Sequence, residues 1–133
     1  MTRSALAVAL AVVVAACDAV TPAEQAAGTY TVETFAVSEA GTTRDLVAEG
    51  LRFAVVLGGD GRYASDLTGP RVDGAASRYE ERVRGPYRLL GPRVAFDSTF
   101  GSTVLDLDWE LEGDVLRTVG TGPAGPAIVL RRR

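Results

Sequence analysis

The chain has 133 residues, enough for one domain and little more. Seventeen acidic residues outweigh fourteen basic ones, every basic residue is arginine, and histidine is absent. Scattered arginines give no clustered basic face, which excludes a nucleic-acid footprint. Without histidine there is no Ser-His-Asp or Cys-His device, and the commonest metal ligand is missing. The single cysteine cannot close an internal disulfide, so packing must hold the domain. The reading is a non-enzyme with no catalytic residue, cofactor or metal. The terminal Arg131, Arg132 and Arg133 read as a solvated tail.

Arg3 precedes an unbroken apolar run over residues 5–16. Twelve residues are too few for a bilayer core of ~30 Å but suit the h-region of a signal peptide. The run ends in Val14-Ala15-Ala16-Cys17, which resembles the lipobox of bacterial lipoproteins. The resemblance implies cleavage between Ala16 and Cys17 and acylation of Cys17. Two or three acyl chains at one residue anchor stably. The implied address is the bacterial cell envelope, at the inner or outer membrane, with the domain outside the cytoplasm. The other reading of these residues is a plain secreted protein cut at an Ala-x-Ala-like site. Residues 1–16 are then the signal peptide, 17–27 a lipidated tether and 28–133 the domain. In the tether, Thr21-Pro22-Ala23-Glu24 has a capping threonine, proline at the first helical position and glutamate three after the cap, predicting one helical turn.

From Gly28 the period becomes two, and Thr, Tyr, Val and Phe favour strands. Residues 29–37 read as a strand. Residues 39–50 read as a long loop with a helical turn near Asp45, and 51–57 as a dense apolar strand. Gly58-Gly59-Asp60-Gly61 is a hairpin turn; the lysine and helix of a phosphate loop do not follow it. Tyr63, Ser65 and Leu67 share one face of the next strand. Residues 68–76 read as a loop and 78–90 as a long strand bulged at Gly85-Pro86. Its inward set is Tyr79, Val83, Tyr87 and Leu89. Residues 93–99 follow, with Val94 and Phe96 inward. Residues 103–112 read as the cleanest strand, with Leu105, Leu107, Trp109 and Leu111 on one face and Asp106, Asp108, Glu110 and Glu112 on the other. Residues 115–119 and 126–131 complete eight strands. Short turns between neighbours predict an all-β antiparallel meander closed as an up-and-down barrel, with a two-sheet sandwich as the alternative.

The domain resembles the lipocalin and lipocalin-like group. Gly28-Thr29-Tyr30 stands where that group has Gly-x-Trp, and Arg131 or Arg132 stands where its closing arginine packs over the ring. The resemblance implies a barrel that is filled by its own side chains or holds one small apolar or amphipathic ligand. Glu81 shares the inward parity of Tyr79 and Tyr87, and a buried carboxylate needs a partner. Tyr63, Tyr79, Glu81 and Tyr87 could form a polar pocket floor; a register-shifting bulge would instead leave Glu81 solvated. Trp109 belongs to the core, or to the pocket wall of an open barrel. Asp106, Asp108, Glu110 and Glu112 diverge along one strand face and read as solvated, with Arg93 and Arg117 beside them, rather than as a calcium site. The expected function is a lipid-anchored binding module for a small ligand. The alternative is a filled barrel that recognises, assembles or inhibits a protein partner in the envelope.

Overall fold

The computed structural model describes residues 19–39, 41–70, 78–98, 101–102, 104–122 and 125–133. One short helix, α1 (Pro22–Ala26), precedes nine strands: β1 (Gly28–Glu39), β2 (Thr42–Asp45), β3 (Arg52–Leu57), β4 (Arg62–Pro70), β5 (Arg78–Leu90), β6 (Arg93–Phe96), β7 (Trp109–Glu112), β8 (Val115–Thr118) and β9 (Ala127–Arg132). All pairings are antiparallel, and β1 pairs with both β3 and β9. Eight strands thus close into a barrel in the order β1-β3-β4-β5-β6-β7-β8-β9, and β2 is an extra strand folded onto the far half of β1. The base of the barrel carries the turns after β3, β5 and β7 and the end of β9; β4, β6 and β8 run toward the opposite end.

Alternation sets which side chains enter the barrel. Tyr63, Ser65 and Leu67 of β4 are buried while Arg62 and Asp66 are exposed. In β5, Tyr79, Glu81, Val83 and Leu89 are half-buried and Tyr87 is buried, with Arg78, Glu80, Arg82 and Arg84 exposed. In β1 the inward set changes parity, from Tyr30 and Val32 to Phe35 and Val37. The cause is a bulge: the register against β9 shifts between Val32 and Thr34, leaving Glu33 as the extra residue.

The bulge expected at Gly85-Pro86 is therefore found in β1 instead, and β5 pairs with β4 without interruption. Pro86 is tolerated because odd-numbered residues of β5 face β4, as Tyr87 N donating to Gly61 O at 2.9 Å shows. Its missing N–H would have pointed toward β6. There the Pro86 carbonyl accepts from Asp97 N at 3.0 Å, and the Asp97 carbonyl accepts a hydrogen bond from the Tyr63 hydroxyl at 2.9 Å instead. Gly85 makes this crossing possible, since a Cβ there would lie 2.3 Å from Asp97 O.

Three further expectations are corrected. The strand expected over 103–112 is present only as β7. The Ser102 hydroxyl accepts from Val104 N at 3.3 Å and Leu105 N at 3.0 Å, and Asp106 Oδ2 accepts from Ser102 N at 3.1 Å. Those local bonds curl 104–107 into a turn that buries both Val104 and Leu105. The loop expected over 39–50 contains β2, followed by the expected turn, in which Asp45 caps Val47 and Ala48. Of the loop expected over 68–76, Thr68 to Pro70 instead continue β4, and 71–76 lie outside the described residues.

Candidate functional site

The barrel interior is occupied by its own rings. Phe35 meets Phe53 at 6.4 Å between centroids, Phe53 meets Trp109 at 6.2 Å, Trp109 meets Phe96 at 6.2 Å and Phe96 meets Tyr63 edge-on at 4.9 Å. Leu57, Leu116, Ile128 and Leu130 fill around this column, all essentially inaccessible. Trp109 also donates its Nε1–H to Val104 O at 3.0 Å, which ties the 104–107 turn over one end of the column.

The other end is closed by α1. Thr21 caps it by accepting from Glu24 N at 3.2 Å, and Pro22 opens it. Ala26 is buried beneath the barrel, and its carbonyl accepts the Tyr30 hydroxyl at 2.6 Å. Tyr87 donates to Gly58 O at 2.7 Å and reaches Ala23 O at 3.4 Å. Arg132 binds the same helix: Nη1 donates to Gln25 O at 2.7 Å and Ala27 O at 3.3 Å, while Nε donates to Asp114 at 2.8 Å. Its guanidinium carbon stands 5.8 Å from the Tyr30 ring centroid. Gly28 leaves room for it, since a Cβ there would lie 2.6 Å from the Arg132 stem. Of the arginines expected to form a solvated tail, Arg131 and Arg132 are thus strand residues with partners, Arg131 pairing with Glu33 at 2.6 Å, while Arg133 follows the strand and is exposed. Burial raises the pKa of Tyr30, Tyr63 and Tyr87, because an ionised phenolate would lose water; at Tyr30 the Arg132 guanidinium offsets only part of that effect.

The five residues expected to line a pocket fall in three places. Tyr87 lies at the base, under α1. Tyr63 and Trp109 belong to the ring column. Tyr79 and Glu81 meet toward the opposite end, where the Tyr79 hydroxyl donates to Glu81 Oε2. Ser102, which sequence reasoning did not single out, donates to Glu81 Oε1 at 2.5 Å. Its oxygen also accepts the backbone N–H groups of Val104 and Leu105, so the hydroxyl links Glu81 to the 104–107 turn. What this cluster does is fasten β5 to the 98–108 segment.

The four carboxylates do not form a row. Asp106 is turned to Ser102, while Glu110 and Glu112 flank Arg117 at 3.8 and 3.5 Å on an exposed face. Among the described residues, no group of acidic or cysteine side chains is placed to hold a metal, and no helix is long and apolar enough to cross a membrane. Ala16 and Cys17 lie outside the described residues. No family model, curated protein or solved structure matches this chain.

Proposed function

We propose that this chain is a lipid-anchored envelope protein whose filled barrel acts through its outer surface, recognising another macromolecule. The observation that carries this reading is the occupied interior. Among the described residues, the ring column from Phe35 to Tyr63, with α1 across one end and the 104–107 turn across the other, packs the middle of the barrel. The anchor rests on Val14-Ala15-Ala16-Cys17 after its apolar run. Because α1 is bound to the base, the chain is fixed from Thr21, four residues beyond Cys17. Four extended residues reach at most about 14 Å. An acylated Cys17 would therefore hold the base of the barrel against the membrane and turn the opposite end outward. A second reading, a small ligand held at Glu81, is favoured by that half-buried carboxylate and its two hydroxyl donors.

Fractionation and native mass spectrometry test both parts. The full chain should sediment with membranes and Cys17→Ser should not; a membrane-bound Cys17→Ser would overturn the anchor. The purified protein should show the mass of the lipidated chain alone. A co-purified small molecule, lost in Glu81→Gln, would replace the surface reading with the ligand reading.

A further inference from the structure

The barrel is closed by strands of unequal length, and among the described residues part of β5 has a strand neighbour on one side only. β5 pairs with β4 over nine consecutive positions, Arg78 to Pro86. On its other side it pairs with β6 only from Tyr87 to Leu90. Beyond Asp97 the chain leaves the ladder and crosses over Gly85. The hydrogen-bonding parity is known from both sides: Tyr87 N is given to β4, and Pro86 O is taken up from the β6 side. The even-numbered residues Arg78, Glu80, Arg82 and Arg84 therefore direct their N–H and C=O groups away from β4, toward the side that β6 no longer covers. Among the described residues none of these groups has a backbone partner. All four residues are exposed.

An unpaired edge of this length is a template for another strand unless it is guarded. The other edge strand, β2, is guarded by being short, and its Arg44 is tied to Glu49 at 2.7 Å. The β5 edge is longer, and its charge has one sign in excess. Three guanidinium groups and one carboxylate line its outer face. Arg82 is engaged by Asp66 at 3.2 Å and Glu80 at 3.6 Å, and among the described residues no carboxylate pairs with Arg78 or Arg84.

We infer that the edge of β5 from Arg78 to Arg84 is a docking site for an extended, acidic segment of a partner protein, which adds to the barrel as a strand. Backbone groups of the four even residues supply the ladder. Acidic side chains of the added strand lie on the outer face beside Arg78 and Arg84, and apolar ones on the inner face beside Val83. The inference deepens the surface-recognition reading and does not depend on the lipid anchor.

The test uses the detergent-solubilised full chain and a synthetic eight-residue peptide alternating glutamate and valine. Pro86 shows how to block the edge without breaking the fold: an even-numbered proline in β5 costs β4 no donor. Arg82→Pro should keep the barrel folded, by thermal melt, and weaken peptide binding by roughly tenfold or more. Arg78→Glu/Arg84→Glu keeps every N–H and should also abolish binding, and raised salt should weaken the wild type. Amide exchange should slow at Glu80, Arg82 and Arg84 when peptide is added. No binding by wild type, equal binding by Arg82→Pro, or protection at β2 instead would overturn the site. Protection that appears with protein concentration and no peptide would overturn the acidic partner, since a second copy would then occupy the edge. Membrane sedimentation is read separately, so failure here leaves the Cys17 reading standing, and the reverse.

Discussion

At the scale of single residues, the side chains that matter most are those with one foot in the core and a polar atom at its rim. Trp109 is the centre of the ring column and the anchor of the 104–107 turn through one N–H. Trp109→Ala should cost about 3–5 kcal/mol in urea unfolding, the range for deleting a large buried ring. Trp109→Phe should cost much less but expose the turn, because the bond to Val104 O goes with the indole. The inward parity of Tyr79, Glu81 and Tyr87 was legible in the alternation of residues 78–90. Their destinations were not, since parity says which face a side chain takes but not how far along the barrel axis its partners lie. Ser102 was illegible for the same reason: it meets Glu81 across 21 residues, through a turn and not a strand.

At the scale of elements, the sequence misled where local side-chain bonds compete with the ladder. Residues 103–112 alternate as well as any strand in the chain. Ser102 and Asp106 nevertheless satisfy the backbone of 104–107 locally, and the alternation serves only β7. In β1 the sequence did carry the signal: Tyr30 and Val32 are followed by Phe35 and Val37, a gap of three that marks the bulge at Glu33. The element that depends most on one residue is α1. Its five residues are too few to hold a helix alone. Arg132→Ala removes two bonds to its carbonyls and one carboxylate partner, and should cost about 2 kcal/mol. The same variant should make the chain near Ala23 the first site of limited proteolysis, while Arg131→Ala leaves it protected. Equal protection in both would show that Tyr30 and Tyr87 hold α1 without the arginine.

At the scale of the whole molecule, the eight-strand closure was legible because turn residues punctuate the chain at nearly every strand end. β2 was not, since Thr42 to Asp45 is polar on both faces and pairs only because β1 runs past the end of β3. The three buried tyrosines set an upper pH limit on the fold. Their ordinary value is 10.0, and burial raises each of them in the folded state. Above that pH the unfolded chain releases these protons first, so stability is level below it and falls as pH climbs further. Urea midpoints should be constant from about pH 7 to 9 and decline above about pH 10, more gently in Tyr30→Phe; a midpoint that stays level to pH 11 would refute the link.

The seam of the barrel sets the order of events in folding. Glu33 and Arg131, joined across β1 and β9, are separated by 98 residues. Most other neighbours are hairpins that can form as soon as they are made. The last ladder must wait for β9, and its loop-closure cost falls due all at once. Until then the first strand has an open side, and the chain is a ribbon of hairpins that can still be drawn out lengthwise.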